Sequence, residues 1–169
     1  MRFAVRSLCA LVAAFAGFAA LAEGPPALAF LGQLEGEWRG AGEVSGMAAD
    51  MRMRWEKALD GKFHRLVMEN RMTGQDGRAW HFKAEAFYRV QKDGSIAGQW
   101  FDSRGISLPL AGSSDGDGMS MTIDWGIEGS AERGRSTYRL AGGALEVTDE
   151  VYGKEGALTV FGRTRLTRQ

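Results

Sequence analysis

Short segments of alternating apolar and polar residues follow one another from Gly36 onward. Around Met51, for example, Met51, Met53 and Trp55 share one face of an extended chain, because successive side chains of a strand point to opposite faces. Clusters rich in glycine separate these segments, and glycine accepts the positive φ that tight turns need. Nine clusters predict ten strands, and they lie at residues 45–46, 60–61, 74–77, 93–94, 104–105, 115–118, 126–129, 142–143 and 153–156.

Tight turns between successive strands predict an all-β fold, a single antiparallel up-and-down meander. A meander of this length closes into a barrel, which removes exposed strand edges. Before the first strand, Pro25 and Pro26 precede apolar residues at 27, 28, 30, 31 and 34, a spacing typical of a short helix packed against one end of the fold. The sequence therefore predicts a helical lead-in over residues 23–34 and one barrel domain over residues 35–169.

Extending the alternation along every strand defines the predicted barrel interior. All five tryptophans face inward, at positions 38, 55, 80, 100 and 125, together with methionines at 51, 53, 68, 72 and 121. The inward polar residues are few: His64, Asn70, Tyr88, Asp102, Tyr138, Asp149 and Thr164. In the last strand, Leu158, Val160 and Leu166 are predicted to face inward and Arg163 and Arg165 outward. Aromatic and polarisable side chains with a few polar groups are typical of a small-molecule pocket, although they would also fill a barrel core.

We therefore expect a cavity that binds a small, mainly apolar molecule. Its predicted wall consists of Met53, Trp55, Met68, Trp80, Trp100 and Trp125. His64, Asn70 and Tyr138 would orient a polar end of the ligand. Alternatively, His64 has a purely structural role as a histidine hydrogen-bonded inside the core.

The first 22 residues have the features of a cleaved signal peptide. Arg2 and Arg6 precede an apolar run over residues 8–21, and the small residues Ala20 and Ala22 end it. The alternative reading is an N-terminal membrane anchor, because the run approaches the length of a spanning helix. Cleavage after Ala22 removes two basic residues, no acidic residue and the only cysteine, so the mature chain carries a net charge of −2. These features predict a periplasmic or secreted protein of the bacterial envelope that folds without a disulfide.

Composition excludes several other classes. Glycine accounts for 24 of 169 residues without a collagen repeat, and 44% hydrophobic content is too high for a disordered chain. With 21 basic and 21 acidic residues there is no electrostatic footprint for nucleic acid. Residues 115–118 resemble part of a calcium loop but lack its later bidentate glutamate, and the chain contains no nucleophile elbow or phosphate-binding loop. We expect no metal and no cofactor. We also favour a binding function over catalysis.

Several segments resemble the calycin superfamily of lipocalins and fatty-acid-binding proteins. The motif Gly36-x-Trp38-x-Gly40-x-Gly42, residues 76–89, residues 100–105 and residues 161–165 are most similar to nitrobindin-type ten-stranded barrels and their uncharacterised bacterial relatives. The resemblance implies that Trp38 packs at the closed end beneath an arginine of the last strand, with Arg163 and Arg165 as candidates. It also implies haem bound by a histidine at the start of the last strand, but this chain has no histidine after His81.

Two further functions remain open at the level of sequence. The chain could be a haem-binding or nitric-oxide-handling protein that uses His64 or His81 as the iron ligand. It could also be a filled structural module of the envelope that binds a protein partner through outward apolar residues such as Phe63, Val67 and Phe161.

Overall fold

The structure, a computed structural model, describes residues 25–127 and 129–169. One helix, α1, precedes ten strands. Their bounds are α1 Pro26–Leu34, β1 Gly36–Val44, β2 Met47–Ala58, β3 Phe63–Thr73, β4 Ala79–Val90, β5 Ile96–Asp102, β6 Ser107–Ser114, β7 Ser120–Gly126, β8 Arg133–Ala141, β9 Ala144–Tyr152 and β10 Leu158–Arg168. The predicted signal peptide over residues 1–22 lies outside the described residues. No helix in the described ranges is long and apolar enough to span a membrane.

The ten strands form one closed antiparallel barrel. Each strand pairs with its neighbours in sequence, and β1 pairs with β10 to close the sheet. The predicted fold class, a ten-stranded up-and-down barrel with a short N-terminal helix at one end, is therefore confirmed. The nine glycine-rich clusters identified in the sequence are the places where the chain reverses between strands.

Two glycines allow the first and last strands to approach closely where the barrel closes. A Cβ atom on Gly40 would lie 1.9 Å from the carbonyl oxygen of Arg165, and one on Gly42 would lie 2.0 Å from that of Arg163. Both contacts are with backbone atoms, which cannot move aside without breaking the β1–β10 ladder. The close approach accounts for glycine inside a strand at these positions.

Helix α1 covers one end of the barrel. Phe30, Leu31 and Leu34 are fully buried on the face of the helix that meets the barrel. The Trp38 Nε1–H group donates a hydrogen bond of 2.7 Å to the carbonyl oxygen of Leu34, which joins the end of the helix to the first strand. This end of the barrel is therefore closed by apolar packing.

The arginine above Trp38 is Arg168, and the prediction of Arg163 or Arg165 was wrong. The guanidinium carbon of Arg168 lies 4.3 Å from the centroid of the Trp38 ring. Arg168 is the cross-strand partner of Trp38 and so shares its face of the sheet. Arg163 and Arg165 have the opposite parity, and both are exposed on the outer surface.

A β-bulge in β10 changes which residues face inward. The β9–β10 register shifts between Val160 and Gly162. Phe161, which simple alternation places outside, lines the interior and meets Trp125 edge-on at a centroid distance of 6.4 Å. The inward prediction for Leu158 and Val160 was wrong, because the extra residue reverses the alternation on that side of the bulge. Those two residues pair with the outward-facing residues at positions 152 and 150.

Candidate functional site

The barrel encloses a cavity of about 420 Å³ at the end opposite α1. Residues of the turns at this end line it, including Ser45, Arg104 and Ile127. The cavity therefore extends from the middle of the barrel to the turns that connect odd-numbered strands to the even-numbered strands after them. We call this end of the barrel the mouth.

Six of the nine predicted site residues line the cavity. They are Met53, Met68, Asn70, Trp100, Trp125 and Tyr138. Further apolar side chains complete the wall, among them Met51, Met72, Leu110, Ile123 and Val147. Alternation within β2, β3, β5, β7 and β8 brings these residues together, since it places every second side chain inside the barrel.

Trp55 faces the barrel interior but lies nearer the helix-covered end than the cavity, since it pairs with Gly36 at the start of β1. Only 1% of its surface is exposed, and its ring stacks on Tyr88 at a centroid distance of 5.3 Å. The same indole meets Tyr138 edge-on at 5.7 Å. Trp55 therefore fixes the positions of two tyrosines that do line the cavity.

His64 is buried near the end of the barrel that α1 covers. Its Nε2 atom lies 3.6 Å from Oε1 of Glu35, the residue that follows the helix. Burial lowers the pKa of His64, and the nearby Glu35 carboxylate opposes this shift only in part. His64 is therefore a core residue of the helix end, and the prediction that it orients a ligand in the cavity was wrong.

Trp80 does not belong to the cavity either. It has the inward parity of β4, but 53% of its surface is exposed. The pairing of β4 with β5 begins only at Ala84 and Asp102, so the first residues of β4 have a neighbour on the β3 side alone. Trp80 therefore stands beyond the rim of β5 at the mouth. The tryptophan pattern alone could not reveal this difference in strand length.

The structure adds an acidic residue to the site. Asp149 lines the cavity, and the Ser136 hydroxyl donates a hydrogen bond of 2.6 Å to its Oδ1 atom. Enclosure by the barrel wall raises the pKa of Asp149 to about 6, and the Ser136 hydrogen bond limits the rise. The inward parity of Asp149 in β9 was visible in the sequence, but nothing there showed that the position lies inside the wall and away from the rim.

Two phenol groups stand near this carboxylate. Burial raises the pKa of both Tyr88 and Tyr138, and the charge of Asp149 raises them further. Both side chains therefore remain protonated at neutral pH. Together with Asp149 and Ser136 they give the apolar cavity one polar region.

A second polar group lies at the mouth. Arg104 donates to both carboxylate oxygens of Asp102, with an Nη2–Oδ2 distance of 2.7 Å, and Trp100 Nε1–H donates to the same carboxylate at 3.1 Å. Burial of Asp102 favours its neutral form, but these hydrogen bonds outweigh burial and lower its pKa. The Arg104 guanidinium also lies 5.3 Å from the centroid of the Phe82 ring. The positive charge of Arg104 is therefore balanced by Asp102 within the mouth.

Neither histidine of the chain lines the cavity. His64 packs near α1, and His81 is exposed, with its Nε2 atom 3.5 Å from Oε2 of Glu69. The residues present thus do not fit a haem ligated by histidine inside the barrel. Across residues 25–127 and 129–169, no group of three or more His, Cys, Asp or Glu side chains could hold a metal ion.

No protein-family model and no curated protein matches the chain. A crystal structure of Rv2717c from M. tuberculosis is similar in fold, with a TM-score of 0.65 and 18% sequence identity. The match covers 85% of this chain and 98% of that chain. A likeness at this identity shows the fold: a ten-stranded antiparallel barrel with Rv2717c as a structural neighbour.

Proposed function

We propose that the protein is an exported, lipocalin-like barrel that binds or senses a small, mainly hydrophobic molecule in its interior cavity. One observation carries the proposal: the barrel leaves about 420 Å³ open among aromatic and methionine side chains. Ligand sites in proteins have volumes of roughly 300–1,000 Å³ and walls that are mostly apolar.

The wall suits an apolar ligand for physical reasons. Moving apolar surface out of water contributes about 25 cal/mol for each Å². Methionine side chains such as Met53 and Met68 adapt to irregular shapes, while the rings of Trp100 and Trp125 are stiffer and limit the orientations a ligand can take. The rings thus limit where a ligand can lie, and the thioethers adapt to its outline.

Location and family are part of the same proposal. Export to the periplasm or the medium rests on Arg2, Arg6 and the apolar run over residues 8–21. Membership of the calycin superfamily, close to the nitrobindin-type barrels, rests on the motif resemblance together with the ten-stranded closed fold.

The two alternative functions draw less support. A haem-binding role lacks an imidazole in the cavity, since His64 lies near α1 and His81 lies outside. A filled barrel would not contain a cavity of about 420 Å³. Phe161, one of the outward residues expected to bind a protein partner, lines the interior instead.

Titration with the neutral fluorescent probe N-phenyl-1-naphthylamine tests the proposal. We expect saturable enhancement of its fluorescence at one site per chain, with quenching of tryptophan emission because Trp100 and Trp125 line the cavity. Val44 lines the mouth, so Val44→Trp should weaken binding by about tenfold by filling space that the probe uses.

Glu43→Trp is the matched control, because Glu43 is exposed on the outer face of the same strand. Urea unfolding shows whether both variants are folded. The proposal would be overturned by a folded wild-type protein that gives no saturable signal, or by equal effects of the two tryptophans.

A further inference from the structure

Among residues 25–127 and 129–169, Asp149 carries the one charged group in the middle of the cavity wall. The charged residues that line the cavity, among those the structure describes, are Arg104, Glu132 and Asp149, and the first two lie in the β5–β6 and β7–β8 turns of the mouth. Asp149 lies within β9, between Ser136 of β8 and Gly162 of β10. Asp149 is half-buried: its carboxylate packs against Ser136 of the neighbouring strand and lines the cavity.

Asp149 has no cationic partner among the described residues, since every ion pair they form involves other carboxylates. Of the described residues that line the cavity, Arg104 alone is basic, and it is paired with Asp102. Ser136 supplies one hydrogen bond, to Oδ1 alone. A half-buried carboxylate in an apolar cavity is stabilised by a proton or by a cation, and the residues that the structure describes provide no cation.

We propose that the cavity selects a protonated apolar amine, with the ammonium group against Asp149 and the apolar body against the Trp and Met wall. This inference rests on the proposed function and names the ligand class for the same site. It makes Asp149 and Ser136 the polar anchor of the site.

The surroundings of Asp149 favour an ammonium group over other polar heads. An ammonium donates hydrogen bonds to the free Oδ2 atom and to the Ser136 oxygen, whose own proton is given to Oδ1. The rings of Tyr88 and Tyr138 line the same cavity, and the negative face of an aromatic ring attracts a cation. A hydroxyl would leave the charge of Asp149 uncompensated, and an anionic head would be repelled by it.

Three adamantane derivatives test the charge preference on one rigid apolar cage. They are 1-adamantylamine, 1-adamantanol and 1-adamantanecarboxylate, used to displace N-phenyl-1-naphthylamine and measured by calorimetry at pH 7.5. We expect the amine to bind at least about tenfold more tightly than the alcohol, a difference of about 1.4 kcal/mol, and the carboxylate to bind most weakly.

Asp149→Asn removes the charge and keeps the shape. We expect it to abolish the preference for the amine over the alcohol and to leave affinity for the alcohol within about twofold of wild type. Glu150→Gln is the matched control, because it removes the same charge from the next residue of β9, on the outer face, and should leave the preference intact.

The wild-type pH profile gives a second readout that needs no variant. Affinity for the amine should fall as the pH decreases through about 6, because the Asp149 carboxylate gains a proton there while the amine stays charged. The titratable and charged groups around Asp149 are Tyr88 of β4, Tyr138 of β8, Glu150 of its own strand, and Arg104 and Glu132 at the mouth. Burial keeps both tyrosines neutral in this range, so affinity for the alcohol should change little.

The outcomes separate this inference from the proposed function. Equal or weaker binding of the amine relative to the alcohol, or an unchanged preference in Asp149→Asn, overturns the amine inference and leaves an apolar binding protein. If N-phenyl-1-naphthylamine and all three adamantanes fail to bind the folded protein, the proposed function itself is wrong.

Discussion

The guanidinium of Arg168 lies over the indole ring of Trp38, with 4.3 Å between the guanidinium carbon and the ring centroid. Arg168 also donates hydrogen bonds to the carbonyl oxygens of Gln33, at 2.5 Å, and of Glu35. One side chain of β10 thus contacts β1 and the end of α1 together. These contacts stabilise the end of the barrel that faces away from the cavity.

Replacing Arg168 with alanine should lower the free energy of unfolding by about 2 kcal/mol, the combined effect of one cation–π contact and two hydrogen bonds to carbonyl oxygens. Urea unfolding measures it. Arg163→Ala, at an exposed position that the sequence had offered for the same role, should change stability by less than about 0.5 kcal/mol. Equal losses in the two variants would contradict the assignment of Arg168.

Gly40→Ala should destabilise the protein by about 3 kcal/mol or more, because the new methyl group would meet the backbone of Arg165 at 1.9 Å. Gly32→Ala is the control, since a Cβ at Gly32 in α1 meets nothing within 4 Å. Alanine there should be neutral or stabilise the protein by up to about 1 kcal/mol. Thermal unfolding of both variants checks the comparison, and a mild effect of Gly40→Ala would show that β1 and β10 can separate locally.

The contribution of Asp149 to stability should decrease as the pH rises from about 4 to about 6. Its pKa is about 6 in the folded protein against an ordinary value of 3.8, so in this range the folded state holds a proton that the unfolded state has lost. Stability falls with pH where the folded state binds more protons. The difference corresponds to about 3 kcal/mol at most once both states are ionised.

Denaturant unfolding of wild type and Asp149→Asn at several pH values measures this contribution. As the pH rises from about 4 to about 6, wild type should lose stability relative to Asp149→Asn. Above that range the difference between the two proteins should stay constant. Glu150→Gln should keep the pH-dependent loss of stability, because Asp149 is still present, but should shift it to lower pH, since the charge of Glu150 contributes to the raised pKa of Asp149. A difference between Asp149→Asn and wild type that does not change with pH would show that the carboxylate is better solvated than its enclosure indicates.

Trp80 and Trp125 should respond differently to replacement by alanine. Trp125→Ala removes a cavity ring that meets Phe161 edge-on and should weaken binding of N-phenyl-1-naphthylamine by about tenfold. Trp80→Ala should leave both binding and stability nearly unchanged, because the side chain is 53% exposed. Fluorescence titration compares them, and a strong effect of Trp80→Ala on binding would return this residue to the site.

The barrel could be predicted from the sequence because its signals are local. Turns at Gly61 and Gly94, for example, require a positive φ that glycine adopts readily, and alternation between turns decides which side chains are inside. Most of the cavity wall, including Met53, Met68 and Trp100, follows from that alternation alone. Local signals thus determine the number of strands and most of the inner face.

The remaining features depend on long-range geometry. Trp80 has inward parity but lies beyond the end of β5, and His64 is inside the barrel but near the helix. Phe161 faces the cavity because of a bulge that only the pairing with β9 reveals. The length of a neighbouring strand and the height of a residue along the barrel axis are absent from a pattern read along one strand, so they could not be predicted.

The pairing of β1 with β10 has a consequence for how the mouth can vary. β1 begins and β10 ends at the helix-covered end, where the Gln169 N–H group donates to the carbonyl oxygen of Glu37 at 2.9 Å. The rim of the mouth therefore consists of five hairpin turns, each joining two adjacent strands. Lengthening one turn, such as that between Asp102 and Ser107, or changing its side chains, alters the entrance and leaves every strand pairing intact. Access to the cavity and stability of the barrel thus depend on different residues. Variants of the mouth turns can therefore be screened without changing the strands.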